Sequence, residues 1–212
     1  MAKSLKQQNR KWLWMFVTLN ILALLAINLG KLGDSEWLAD TWDSLTQKGG
    51  IGIACIPLVT LILTNLIPPD WKAHLIFWRV SNPLPGSRVF SKLAKKDQRI
   101  DINILRKACG GQLPRSAKRQ NETWYKIYKK HAEKPSVIES HKSYLLTRDI
   151  AAMSLLLALG AGLFKLSIPS QSIELGWYAA GLAVFYLLSA TAARNVGNRF
   201  TTNVLAEESS SN

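Results

Sequence analysis

The chain has 212 residues, with 27 Lys or Arg against 14 Asp or Glu, a formal net charge of +13. Its mean hydropathy is close to zero, but that average hides segregation: apolar residues gather in four runs almost free of charge, which argues against an ordinary soluble domain. The cationic excess calls for an anionic partner, either lipid headgroups or nucleic acid, or else serves only to orient the chain in a membrane.

The first eleven residues carry Lys3, Lys6, Arg10 and Lys11 and no acid. Residues 12–29 follow without a charge, close to the roughly 20 needed to cross about 30 Å of hydrocarbon. The run is longer than the apolar part of a signal peptide, and no Ala-x-Ala motif closes it, so a retained anchor is expected. Trp12 and Trp14 suit the inner interface. Asn20 lies near mid-span and is expected to hydrogen-bond to a neighbouring helix, its own hairpin being the plainest source of a partner. Residues 30–50 are acidic on balance. Asp34 or Ser35 can cap a short helix there, Gly49-Gly50 can end it, and Trp37, Leu38, Trp42 and Leu45 share a face suited to the outer interface. The second apolar run, 51–67, contains Pro57, where a kink is expected.

Residues 68–149 hold 18 of the 27 Lys and Arg and seven acids. Pro68-Pro69-Asp70 stops one helix and opens an aromatic, cationic one, suited to an interface, in which His74 reads as structural. After the turn-rich stretch 81–86, a short helix is expected over 88–96. Asp101 caps another that Gly110-Gly111 closes, and Pro114 opens a longer helix reaching about residue 133. Along the last, Trp124, Tyr125, Tyr128 and His131 recur at helical spacing with lysines beside them. Such a face either stacks bases and grips phosphates or packs as core with a basic rim. The candidate anion-binding residues are Arg88, Lys92, Lys95, Lys96, Arg115, Lys118, Arg119, Lys126, Lys129 and Lys130, with Trp124 and Tyr128. About eighty residues make a marginal core, so these helices are expected to lean on the membrane surface or on sister subunits.

Residues 137–148 read as an amphipathic approach to the third run, 150–168, in which only Lys165 is charged. Ser154, Ala158 and Gly162 are spaced by four, a row of small residues that lets a second helix come close. A tight outer turn at 169–174 leads to the fourth run, 175–193. Arg194 and Arg199 follow, and the acidic, Ser-rich tail 207–212 reads as unstructured. The segments before, between and after the two apolar pairs hold 4, 18 and 2 basic residues, against two in the first outer loop and none in the second. The positive-inside rule then places both termini in the cytoplasm. The expected architecture is all-α: a transmembrane hairpin over 1–67, a small basic helical cytoplasmic domain over 68–149, a second hairpin over 150–193 and a cytoplasmic tail over 194–212.

No catalytic signature emerges. GxxxxGK(S/T), HExxH, CxxC and GxSxG are absent, and His74, His131 and His141 show no metal-ligand spacing. Cys55 and Cys109 are not expected to pair. Neither an enzyme nor a cofactor is expected. The stretches FWRVSNPLPGSRVF, DQRIDINILRK, QNETWYKIYKKH, SYLLTRD and AARNVGNRF resemble those of small four-helix bacterial inner-membrane proteins. The layout of two pairs of spans around a cytoplasmic middle is similar to that of membrane effectors of anti-phage defence. The resemblance implies a homo-oligomer that perturbs the membrane when its basic domain senses an intracellular cue, and it assigns no active residues. The other readings are a membrane anchor or scaffold whose basic domain recruits a cytoplasmic protein or nucleic acid, and a membrane-bound enzyme.

Overall fold

The computed structural model describes residues 4–31, 33–47, 51–167 and 173–211, and every regular element among them is helical. In chain order these are α1 (Leu5–Asn28), α2 (Ser35–Gln47), α3 (Ile51–Leu66) and α4 (Pro69–Phe77). Two tight 3-10 turns, Pro85–Arg88 and Ala94–Lys96, follow with a wider π turn, Val89–Leu93, between them, then α5 (Ile102–Ala108), α6 (Ala117–His131), α7 (Pro135–Ser167) and α8 (Ile173–Ser210). The predicted stop at Gly49-Gly50 and residues 168–172 of the predicted outer turn lie outside the described residues. Asp34 caps α2 as expected, its Oδ1 accepting the Trp37 amide at 2.9 Å.

Three helices, α1, α7 and α8, are long and apolar enough to cross a membrane. At 1.5 Å per residue, the 24 residues of α1 reach about 36 Å, while the 16 of α3 reach only about 24 Å. All three exceed the predicted spans, α1 beginning at Leu5. No proline interrupts residues 136–167 or 173–210, so α7 takes in the polar approach and α8 takes in the tail.

The chain divides into two compact units. One comprises Met1–Lys6, Pro69–Arg148 and Ala190–Asn212; the other comprises Gln7–Pro68 and Asp149–Ser189. In the second unit, α1 and the first part of α8 run antiparallel. The rings of Phe16 and Phe185 stack at 6.0 Å, and Tyr178 Oη donates to Asn20 Oδ1 at 2.7 Å. The partner of Asn20 thus lies on α8 rather than within the first hairpin. Other polar side chains in these apolar helices turn back on their own backbone: Thr60 donates to the Ile56 carbonyl, Ser154 to Ile150 and Ser189 to Phe185. These bonds meet the polar groups without calling on another helix. Ser154 and Ala158 are buried, whereas a methyl built at Gly162 would meet nothing within 4 Å. Only part of the small-residue row is therefore used within this chain. Leu19, Leu61, Leu163, Leu166 and Leu188 all stand exposed. Of the most apolar 18-residue stretch of each long helix, only 17–28% is buried. So much exposed apolar surface is foreign to a water-soluble protein.

In the first unit the core of the polar middle is completed by a segment from much later in the chain. The end of α8 fills it with Phe200, Val204 and Leu205, all buried. Gly197 sits where α8 passes Phe77 of α4 and Tyr144 of α7; a Cβ there would lie 2.9 Å from Phe77 Cζ and 3.0 Å from the Tyr144 ring. The end of α4 is closed by Trp78 in the left-handed region, φ 48°, an unusual place for a side chain of this size. Arg194 holds it there. Its guanidinium donates twice to the Ile76 carbonyl, at 3.1 and 3.2 Å, and lies 4.0 Å from the Trp78 ring centroid. A cation at a helix C-terminus and over an indole is favoured on both counts.

The expectation of an unstructured tail fails. Helix α8 continues through Ser210, and its last turns are tied to three other helices. Glu208 accepts from His131 Nε2 at 2.5 Å and Lys130 Nζ at 2.9 Å on α6. Ser136 of α7 donates to Glu207 at 2.5 Å, and Asn203 donates to the Ser136 carbonyl. The Asp101 amide, just before α5, donates to Ser209 Oγ at 2.7 Å. Read alone, Glu207, Glu208 and Ser209 look like solvated residues; in the fold each answers a donor on another helix.

Candidate anion-binding surface

The candidate surface is built on α5, α6 and the loop between them. Asp101 caps α5, its Oδ1 accepting the Asn103 amide at 2.7 Å and, more weakly, the Ile104 amide. At the other end Gly110 and Gly111 adopt φ of 77° and 95°. The Gly111 amide reaches back to the Arg106 carbonyl at 2.8 Å, and the Gly110 amide to Lys107 at 3.0 Å. This pair of bonds closes a helix with a left-handed turn that glycine adopts without strain. Helix α6 then starts one turn later than the sequence suggests, because Ser116 is the cap and accepts the Arg119 amide at 3.3 Å. Pro114 belongs to the connecting loop.

The buried face of α6 is Gln120, Trp124, Ile127 and His131, at helical spacing. Of the two readings of its aromatics, the structure has the core one. Trp124 is only 8% exposed and donates its indole N–H to the Thr201 carbonyl at 3.2 Å. Its ring stacks on Tyr128 at 5.6 Å and takes the edge of Phe200 at 5.4 Å. What remains of its surface lines a cleft of about 230 Å³ with Tyr125, Tyr128, His141 and Phe200. Tyr128 is half-buried, with its hydroxyl 3.2 Å from His141 Nδ1. Burial, with Arg148 nearby, pushes the His141 pKa below its ordinary value.

The ten predicted cations do not form one surface. Arg88 donates to the Pro83 carbonyl and lies over Phe77; burial, with Arg79 and Arg194 near, holds its pKa down. Lys129 sits over the Tyr125 ring and Lys130 is paired with Glu208. Lys118 lines a separate hollow with Asp70 and Glu122. Lys92 and Lys96 are exposed and line none of the clefts described here. Lys95, Arg115, Arg119 and Lys126 do come together, around the loop 112–115. On one side a cleft of about 430 Å³ is lined by Lys95, Arg106 and Arg115. On the other, a cleft of about 1010 Å³ is lined by Arg115, Arg119 and Lys126, with Glu122 its one acid. Arg115 belongs to both.

Other acids of the region are committed elsewhere. Asp97 is bound by Arg99 through two side-chain contacts, at 2.7 and 3.0 Å. That hydrogen bonding, helped by the Arg99 amide and the Thr202 hydroxyl, outweighs burial and brings its pKa to about 2. Asp101 is the α5 cap, and Glu208 is held by α6. Burial alone would raise the Glu208 carboxyl, but hydrogen bonds from His131 and Lys130 win and hold it below the usual carboxylate value.

Two residues of this site escape a sequence reading. Arg106 reads as a cation placed for the α5 dipole, yet it lines the smaller cleft. Gln120 is 2% exposed. Its Oε1 accepts from both the Ser91 amide and hydroxyl at 3.1 Å, and its Nε2 donates to the Arg115 carbonyl at 3.0 Å. It thereby ties the Arg115 loop and the 89–93 turn to α6. The signal for it in the sequence is a polar residue in register with Trp124 and Ile127. Among the described residues, no group of His, Cys, Asp and Glu side chains is arranged to hold a metal ion. The chain matches no family model, no curated protein and no solved structure in the comparisons with known proteins.

Proposed function

We propose that this chain is a multi-pass membrane protein with four spans, α1, α3 and the apolar parts of α7 and α8. The basic unit and both termini lie on the cytoplasmic side of a bacterial inner membrane. The observation that carries this reading is the contrast within one chain. The helices of one unit expose leucines along most of their apolar length, while the other holds the 18 basic residues of the middle segment. A bilayer satisfies the first, and the positive-inside rule gives the second its side. The short reach of α3 fits a locally thinned bilayer, at a cost of fractions of a kcal/mol per Å. Reporter fusions after residues 40, 110, 171 and 212 should read outside, inside, outside and inside. An external signal at 110 would overturn the topology.

Within that frame the chain acts, without catalysis, as a homo-oligomeric sensor and membrane effector, in line with the defence proteins its layout resembles. Support for the oligomer comes from Gly162 and Gly181, where an added methyl meets nothing within 4 Å; these are places for a second helix to approach. Expression should collapse the membrane potential, and Gly162→Leu should prevent it while lowering the mass of the detergent-solubilised assembly. A chain that leaves the potential intact under all conditions is instead a scaffold. The cationic clefts around residues 112–115 favour that second reading, since recruitment of an anionic partner needs only such a surface.

A further inference from the structure

We propose that the paired clefts on either side of the loop 112–115 form one binding site for an anion carrying two or more phosphoryl groups. The site rests on the reading of this unit as the sensing, anion-binding part of the protein, and it goes beyond it in naming the ligand's chemistry and the residues that hold it. Three arginines and two lysines converge there: Lys95 and Arg106 on one side, Arg119 and Lys126 on the other, and Arg115 lining both. All five side chains are exposed, and among the described residues none is ion-paired. Guanidinium forks match phosphate oxygens two at a time, which a point charge cannot do. Two clefts of about 430 and 1010 Å³ joined at a shared arginine fit a ligand whose charges are separated, one phosphoryl on each side of the loop.

The rest of the geometry argues for phosphoryl groups without an attached base as the recognised feature. Single-stranded nucleic acid is held largely by stacking on exposed aromatic rings. The one aromatic lining either cleft is Phe90, which is 1% exposed, and Trp124 is 8% exposed and lines a different hollow. The backbone at the site is also held in advance. Gln120 fixes the Arg115 carbonyl from below, and the turn at Gly110-Gly111 fixes the loop's start. Little ordering is left for the ligand to impose.

The shared chemistry has two sources, a free polyphosphorylated metabolite or a lipid headgroup with two phosphates, and the test separates them. The full chain, in nanodiscs of neutral phosphatidylcholine, is titrated with inorganic phosphate, pyrophosphate and tripolyphosphate by calorimetry. A parallel set uses nanodiscs containing one-fifth cardiolipin or one-fifth phosphatidylglycerol. Hydrogen exchange follows residues 106–126 in each case. Tripolyphosphate should bind at least tenfold more tightly than phosphate and should slow exchange in 106–126. Arg115→Gln should cut that affinity more than tenfold. Lys92→Gln and Lys129→Gln, exposed cations away from the clefts, should stay within twofold. Protection by cardiolipin but not phosphatidylglycerol, with the same dependence on Arg115, assigns the headgroup as the source. Binding of neither polyphosphate nor cardiolipin overturns the site, as does equal weakening by all cation substitutions. Tighter binding of an oligonucleotide than of tripolyphosphate, with the same Arg115 dependence, also overturns it, in favour of nucleic acid. The reporter fusions above test the membrane reading independently, so a failed titration with an internal signal at residue 110 rejects the ligand alone.

Discussion

Glu208→Gln is the sharpest perturbation of the fold, because it changes one oxygen to nitrogen at the point where α8 is tied to α6. Glu208 and His131 side chains are each 8% exposed and 2.5 Å apart. Removing one partner of a buried pair costs about 3–5 kcal/mol. Lys130 adds little, since its side chain is 60% exposed and such contacts are worth up to about 1 kcal/mol. A glutamine keeps one oxygen that still accepts a hydrogen bond, recovering about 1 kcal/mol. The remainder is about 2–4 kcal/mol, a change of roughly 30- to 850-fold in a local opening constant. The assay is hydrogen exchange on the full chain in detergent, read on peptides covering 199–210. Those amides should exchange faster by that factor, while Lys130→Gln should change them less than about fivefold. Acid should mimic the substitution. Because the Glu208 carboxyl is held below its ordinary value of 4.5, its contribution is complete above that pH and is lost as pH falls through the lower folded value. Exchange in the Gln variant within threefold of the parent would refute the reasoning; the apolar contacts of Val204 and Leu205 would then hold the end of α8 by themselves.

Three further substitutions probe other parts. Gly197→Ala gains about 1 kcal/mol of helix propensity but drives a methyl to 2.9 Å from Phe77 and 3.0 Å from Tyr144; overpacking of about 1–3 kcal/mol wins, so the thermal midpoint should drop, and a rise would show that the rings yield freely. The His141 pKa is lowered by burial from 6.5, so its neutral form contributes stability that is complete above pH 6.5 and is lost as pH falls through the folded value. His141→Phe keeps the stacking on Phe200 and should flatten the midpoint's fall between pH 7 and 5; an unchanged slope would assign it to other groups. Tyr178→Phe removes the hydroxyl that reaches Asn20, a bond between apolar helices worth about 0.6–1.7 kcal/mol, and should make the chain unfold at lower denaturing-detergent concentration. No change would mean that the bond to Asn20 Oδ1 contributes nothing net, the Asn20 Nδ2 being held already by the Phe16 carbonyl at 2.8 Å.

Local features were legible in the sequence because local chemistry decides them. Asp34 and Asp101 cap helices because their short side chains reach amides two or three residues on. Gly110-Gly111 stops α5 because glycine takes positive φ at no cost. The apolar runs become helices, as their length and composition predict, because a helix satisfies its backbone within itself. What the sequence could count but not place was charge. Ten basic residues on short helices look like one surface, yet Arg88, Lys118, Lys129 and Lys130 each have business elsewhere. Arg106, read as a dipole partner, joins Lys95 and Arg115 only through the turn of the chain. The fate of residues 207–211 belongs to tertiary structure. Their composition is that of a solvated tail, because Glu and Ser are stable in water; they become core only where His131, Lys130, Ser136 and the Asp101 amide present donors from three other helices at once. The same contacts move Trp124 from a candidate stacking platform to the middle of a core, since the face that a helical wheel leaves open is the face that Phe200 and Thr201, seventy-odd residues away in sequence, come to cover.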